Sequence, residues 1–126
     1  MNQSFAALLL AARRERQLVI ATALTDGAPS GQARQARLAQ QQGAGAAELR
    51  ADLLADPAQV RAALTAVRAA SSLPLLLTYR STTEGGKGAG HGQGYEDYLA
   101  SLLQLRPAVA AVDIEMACPA SKALVA

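Results

Sequence analysis

The sequence predicts an α/β fold made of four strand–helix units around a parallel sheet. Short apolar runs that are typical of strands alternate with segments whose apolar residues recur at helical spacing. The predicted strands start near residues 19, 47, 75 and 109, so successive starts are 28, 28 and 34 positions apart. That spacing fits one strand, one helix and two loops, and right-handed crossovers of this length join parallel strands.

The elements of the first unit follow from the residues that bound them. A helix over 4–17 precedes the first strand, LVIAT at 18–22. The Asp-Gly-Ala-Pro-Ser-Gly run at 26–31 is typical of a loop, and apolar residues at helical spacing predict a helix over 32–42. The second strand is predicted over 46–54.

The later units show clearer boundaries. Asp56 followed by Pro57 combines an N-cap with a proline at the first helical position, so a helix is expected from there to the serine pair at 71–72. LLLTYR at 75–80 is the third predicted strand. A helix over 95–105 and a fourth strand over 109–116 follow a glycine-rich stretch, and the final SKALVA has the pattern of a helix that is just beginning.

Composition excludes several classes of protein. The chain has 126 residues, and its 12 Lys and Arg against 10 Asp and Glu give a net charge of only +2, which predicts no phosphate-binding surface. Cys118 is the only cysteine, so no intrachain disulfide can form, and we expect a reducing cytoplasm and a small apolar role for this residue. The apolar run at 5–12 precedes basic residues, unlike a signal peptide, and is shorter than the roughly 20 residues of a membrane span.

Charged side chains collect at the predicted strand ends. Strand alternation places Glu48, Arg50 and Asp52 on one face of the second strand, and it likewise pairs Thr78 with Arg80 and Asp113 with Glu115. A parallel sheet is usually covered on both faces, so such charges cost free energy unless they meet each other, water or a ligand. The carboxyl ends of strands are where α/β folds bind ligands. We therefore predict a polar pocket at these ends.

The same segments carry a resemblance to a known family. Glu-Leu-Arg at 48–50, LLLTYRSTTEGG at 75–86, the Tyr-x-x-Tyr-Leu helix and VDIEM at 112–116 resemble the first half of a type I 3-dehydroquinate dehydratase, a (β/α) TIM barrel. The resemblance implies a hydro-lyase of the shikimate pathway of aromatic amino acid biosynthesis. It also implies conversion of 3-dehydroquinate to 3-dehydroshikimate through a lysine Schiff base, without metal or organic cofactor.

The resemblance assigns roles residue by residue. Substrate-binding residues are Glu48, Leu49, Arg50 and Arg80, and Glu84 has the catalytic role of orienting a histidine. The first-strand contact of the family falls near Thr22 or Ala23. The family's catalytic histidine and lysine lie on later strands, which this chain does not contain. His91 stands in a glycine-rich segment and is expected to be exposed to solvent, and neither Lys87 nor Lys122 is expected at a buried strand end.

These observations predict a domain organisation. Residues 1–17 form an N-terminal helical extension, and residues 18–126 form the N-terminal half of the barrel, truncated after about four βα units. We expect such a fragment to be inactive. Its unpaired edge strands favour self-association into a homo-oligomer.

Two alternatives remain open at this point. Glu48, Arg50, Arg80 and Glu84 could form an internal ion-pair network in a non-catalytic fragment. An interaction module could instead use basic side chains such as Arg13 and Arg37. Those arginines are spaced like solvated helix faces and lack aromatic stacking partners, so we expect neither nucleic acid nor membrane as a partner.

Overall fold

The computed structural model describes residues 4–105, 109–119 and 121–125. Its sheet has four parallel strands in the order β1-β2-β3-β4, so each strand lies beside its neighbour in sequence. The strands are β1 Ala21–Leu24, β2 Ala46–Arg50, β3 Leu75–Thr78 and β4 Ala111–Val112. The helices are α1 Phe5–Arg14, α2 Pro29–Gln41, α3 Pro57–Ala70, α4 Gln93–Leu103 and α5 Ser121–Val125. This arrangement confirms the predicted α/β class with parallel strands.

The first unit begins later than predicted. Leu18 and Ile20 were placed in the first strand, but their exposed fractions are 94% and 64%. Sheet pairing starts where the carbonyl of Ile20 accepts hydrogen bonds from the N–H groups of Gly45 and Ala46, at 2.8 and 3.3 Å. The strand therefore runs over 21–24 instead of 18–22. Residues 1–3 of the predicted extension lie outside the described residues.

The predicted loop at 26–31 is partly helix. Pro29 occupies the first turn of α2, and the Asp26 carboxylate accepts a hydrogen bond from the N–H of Ala28 at 2.9 Å. Proline at this position loses no intrahelical bond, so the turn residues start the helix three positions before Gln32. The predicted start of α3 is confirmed, because Asp56 caps the helix by accepting from the N–H of Gln59 at 2.9 Å.

Three strands are shorter than predicted, since β3 ends at Thr78 instead of residue 80. β2 ends at Arg50, and Ala51–Leu53 forms a single 3-10 turn. β4 contains only Ala111–Val112, although the N–H of Asp113 still bonds the carbonyl of Leu77 at 2.9 Å. The strands on which alternation had placed them therefore do not reach Asp52, Arg80, Asp113 and Glu115.

The two faces of the sheet differ sharply. The register Leu24–Leu49–Leu77 places these fully buried leucines on one face, in a single core with the apolar residues of α2, α3 and α4. The opposite face carries Ala23 and Glu48 in register, and Arg50 beside Thr78. Cys118 is buried in the core, as expected for a small apolar residue. Among helices of the described residues, none combines the length and apolar character needed to cross a bilayer.

Candidate active site

A cleft of about 210 Å³ lies at the carboxyl ends of β2, β3 and β4. It is lined by Glu48, Arg50, Thr78, Arg80, Glu84 and Asp113. The structure thus brings together four of the five residues singled out by the resemblance. The fifth, Leu49, is fully buried and belongs to the core on the other face of the sheet.

The first-strand position is placed by register. Ala23 lies beside Glu48 on the cleft face, whereas Thr22 lies beside Ala47 on the helix-covered face. The only side chain that the first strand offers near Glu48 is therefore a methyl group. Neither Thr22 nor Ala23 lines the cleft.

Glu48 and Arg50 are each held by a neighbouring side chain. The hydroxyl of Thr78 donates to Oε2 of Glu48 at 2.9 Å across the β2–β3 pair. Arg50 donates from Nε and Nη2 to the two carboxylate oxygens of Asp52, both at 2.8 Å. These hydrogen bonds to Asp52 are the main reason that the pKa of Arg50 rises above its ordinary value. Both cleft residues are thus fixed before any ligand arrives.

The Glu-Gly-Gly turn folds back onto Arg80. Nε of Arg80 donates to the backbone carbonyl of Glu84 at 2.9 Å, and the N–H of Gly88 returns a bond to the carbonyl of Arg80 at 2.9 Å. Gly85 has φ +85°, a conformation that favours glycine. A Cβ atom on Gly86 would lie 2.2 Å from the Arg80 carbonyl oxygen. The two glycines therefore allow Glu84 and Arg80 to face the same cleft.

His91 is not a solvent-exposed loop residue, so that expectation was wrong. Its side chain is only 14% exposed, and Nε2 lies 2.7 Å from Oε1 of Glu115. Glu115 also accepts from the N–H of Ser81 at 2.9 Å and from its hydroxyl at 2.5 Å. Burial alone would raise the pKa of Glu115, but these bonds from Ser81 and His91 hold it below its ordinary value. The carboxylate is therefore ionised and His91 carries the shared proton on Nε2.

Asp113 forms no salt bridge with any cation of the described residues. Partial burial and the nearby carboxylates of Glu115, Glu48 and Glu84 raise its pKa. Among the described residues, no carboxylate oxygen of Glu48 or Glu84 lies within 4.0 Å of a guanidinium nitrogen of Arg50 or Arg80. The ion-pair network proposed as an alternative is therefore not what these four side chains form.

One cluster, which shares only Glu84 with the cleft lining, has the composition of a metal site. Glu84, His91 and Glu115 each place one ligand atom within 4.8 Å of the others. Both oxygens of Glu115 already accept hydrogen bonds from Ser81, and one of them also meets His91. A cation there would compete with these bonds, and we propose none.

The cleft is not the largest cavity. A cavity of about 370 Å³ lies at the other end of the sheet, lined by residues that include Gln40, Arg68 and Leu75. Ligands of α/β folds bind beyond the carboxyl ends of strands, where charged side chains converge. The smaller cleft is therefore the candidate active site.

Comparison with known proteins agrees with this geometry. The model of the family described as type I 3-dehydroquinase matches residues 20–125. The chain belongs to the type I 3-dehydroquinase family. It is similar to the 3-dehydroquinate dehydratase of Methanoregula boonei, with 42% identity over 97 residues, 76% of this chain and 41% of that protein.

Two solved structures of 3-dehydroquinate dehydratases have a fold similar to that of this chain. The 3-dehydroquinate dehydratase of Geobacillus kaustophilus superposes with a TM-score of 0.66 at 25% identity, over 79% of this chain and 40% of that one. The type I enzyme of Clostridium difficile superposes with a TM-score of 0.67 at 22% identity, over 78% and 40%. The chain thus spans about 40% of the length of the relatives that it matches.

Proposed function

We propose that this chain supplies the substrate-binding part of a 3-dehydroquinate dehydratase, the hydro-lyase that converts 3-dehydroquinate to 3-dehydroshikimate in the shikimate pathway. The observation that carries the proposal is the cleft itself. Glu48, Arg50, Arg80 and Glu84 converge at strand carboxyl ends without pairing with one another. Charged side chains that converge without neutralising one another are expected where a polar ligand completes their hydrogen bonds.

The chemistry of the ligand suits these groups. 3-Dehydroquinate carries a carboxylate, hydroxyl groups and a ketone. Guanidinium N–H groups of Arg50 and Arg80 are donors for its oxygens, and Glu48 is an acceptor for a hydroxyl proton. The family resemblance implies a reaction without metal or organic cofactor.

The catalytic groups that the family resemblance implies are a histidine and an imine-forming lysine from later strands. The carboxylate of Glu84 faces the cleft, where it could orient an imidazole in the tautomer needed for proton transfer. Lys87 and Lys122 are both exposed, so neither is desolvated in the way that favours a neutral amine. We infer that the chain by itself binds substrate without converting it.

We also propose that residues 1–17 form an extension outside the barrel. Two observations support this: helix α1 buries none of its residues, and the family match starts at residue 20. The exposed Leu18 and Ile20 beside β1 favour self-association. A cytoplasmic location rests on the single cysteine.

Nucleic acid is not a proposed partner. Tyr79 stacks on Tyr98 with ring centroids 4.0 Å apart and lies 5.8 Å from Tyr95, so these aromatic rings are used inside the fold. Binding of single strands uses aromatic rings that are exposed for base stacking. We likewise propose no membrane partner.

Ligand-observed NMR tests the proposal. Saturation transferred from the chain to 3-dehydroquinate would give the dissociation constant of a weak complex, and we expect Glu48→Gln and Arg80→Ala to weaken it. Arg34→Ala removes an exposed arginine of α2 and should leave binding unchanged. Absence of any transfer to 3-dehydroquinate, with a folded chain, would overturn the proposal.

A further inference from the structure

Asp52 is a buried carboxylate beside the cleft that no cleft-lining role explains. It lies in the 3-10 turn Ala51–Leu53, just after the strand that carries Arg50, and its side chain is fully buried. A buried carboxylate is costly unless its oxygens are hydrogen-bonded.

Its oxygens hold two separate parts of the cleft. Oδ1 and Oδ2 accept from Nε and Nη2 of Arg50, both at 2.8 Å, in the fork geometry that fixes the plane of a guanidinium. Oδ2 also accepts from the backbone N–H of Lys87 at 3.0 Å. One carboxylate thus joins the end of β2 to the glycine-rich loop that follows Arg80 and Glu84.

The loop around Lys87 is also hydrogen-bonded to the backbone of Arg80. The N–H of Gly88, next to Lys87, bonds the carbonyl of Arg80 at 2.9 Å, and the N–H of Gly86 bonds the carbonyl of Ser81 at 2.7 Å. A shift of Lys87 therefore moves the backbone on which Arg80 is held. Asp52 is placed to set the distance between the two arginines of the cleft.

The bidentate contact also leaves Arg50 able to bind a ligand. Nε and Nη2 face Asp52, so the N–H groups of the other terminal nitrogen remain available to the cleft that Arg50 lines. Burial alone would raise the pKa of Asp52, but the bonds from Arg50 and Lys87 hold it below its ordinary value. The carboxylate is therefore charged and accepts all three bonds.

We propose that Asp52 is a positioning residue for substrate: it orients Arg50 and fixes the loop at Lys87, so that the cleft is formed before 3-dehydroquinate binds. This inference rests on the proposed function of the chain. A preformed site avoids the cost of ordering its side chains on binding, so loss of Asp52 should weaken binding although Asp52 does not touch the ligand.

Asp52→Asn is the direct variant because it keeps the shape of the side chain. In either orientation the amide nitrogen faces a donor of Arg50, at Nε or at Nη2, and in the second orientation it also faces the N–H of Lys87. We expect the dissociation constant for 3-dehydroquinate, measured by saturation-transfer NMR on the full chain, to rise about tenfold or more. We also expect faster hydrogen exchange in peptides that contain Lys87, measured by mass spectrometry.

A double-mutant cycle with Arg50→Gln separates positioning from general destabilisation. If Asp52 acts largely through Arg50, most of its effect on binding disappears when Arg50 is already replaced. Asp97→Asn, which alters an exposed carboxylate of α4, is the matched control and should change neither binding nor exchange at Lys87.

Each outcome decides a different claim. The positioning role of Asp52 is overturned if Asp52→Asn binds 3-dehydroquinate as tightly as wild type. It is also overturned if the losses of binding free energy in Asp52→Asn and Arg50→Gln add in full in the double variant. A wild-type chain that does not bind 3-dehydroquinate overturns the proposed function, and this inference with it. If Asp52→Asn does not fold, Asp52→Glu keeps the charge but displaces the carboxylate by one methylene, and the same comparison with Arg50→Gln then decides.

Discussion

Nε2 of His91 lies 2.7 Å from Oε1 of Glu115, and this contact fastens the loop after β3 to the segment after β4. Glu115 is 4% exposed and also holds the backbone N–H and the hydroxyl of Ser81. The residue next to Arg80 is therefore positioned by a carboxylate from a different βα unit. Cleft geometry depends on this contact as well as on the strands.

His91→Ala should lower the free energy of unfolding by about 1.5 to 3 kcal/mol, the range for hydrogen bonds to charged groups. Loss of the ring leaves one hydrogen bond fewer on a buried carboxylate. Urea denaturation measures the change, and hydrogen exchange should show faster opening of residues 81–91. Gln93→Ala removes an exposed polar pair on α4 and serves as the control. Equal free energies of unfolding for the two variants would show that the His91 contact does not stabilise the fold.

Glu115 should make the chain sensitive to acid. Its folded pKa is below the ordinary value of 4.5, so its ionised form stabilises the fold at pH values above 4.5. That contribution is lost as pH falls below 4.5 and through the lowered folded pKa. Glu115→Gln should therefore be less stable than wild type at pH 7, and in urea titrations the difference should shrink as pH falls from 4.5 through the folded pKa. A difference that stays constant over that range would contradict this assignment.

Asp113 should behave in the opposite way. Its folded pKa is above 3.8, so the folded chain binds its proton more tightly than the unfolded chain does, and ionisation costs stability as pH rises through that folded pKa. Asp113→Asn should stabilise the chain at pH 7 by less than about 1 kcal/mol, because the side chain is exposed and screened. In thermal melts the gain over wild type should vanish below pH 3.8. Destabilisation at pH 7 would mean that Asp113 has a stabilising partner.

Local patterns predicted part of the fold well. The Asp56-Pro57 start of α3 was predictable because an N-cap and a first-turn proline act within one helical turn. The cleft face that carries Glu48, Arg50 and Thr78 followed from strand alternation, which depends only on the pleat.

Contacts between distant residues were not predictable from local patterns. His91 and Glu115 are 24 positions apart, and a glycine-rich segment gives no local sign that its histidine turns inward. Asp52 gave a weak signal through its spacing from Arg50, but its bond to Lys87 joins residues 35 positions apart. The late start of β1 likewise depended on where the carbonyl of Ile20 finds its partners. Tertiary hydrogen bonds decided each of these cases.

The chain itself should not dehydrate 3-dehydroquinate. Imine formation needs a neutral amine held about 3 to 3.5 Å from the ketone carbon, and Lys87 and Lys122 are both exposed. Enone absorbance should stay constant on incubation with substrate, and borohydride should trap no adduct. Formation of 3-dehydroshikimate with an adduct on Lys87 or Lys122 would instead make the glycine-rich loop and His91 the active site.

The central claim is that residues 20–125 form a substrate-binding unit that works within a 3-dehydroquinate dehydratase, and a chimaera tests it most directly. The chimaera places these residues in place of the matching segment of the Methanoregula boonei relative. We predict dehydration of 3-dehydroquinate, with kcat/KM about 10- to 150-fold lower in Arg80→Ala, equivalent to about 1.5 to 3 kcal/mol, and unchanged in Arg34→Ala. A folded chimaera without activity, or one in which Arg80→Ala and Arg34→Ala behave alike, would contradict the claim.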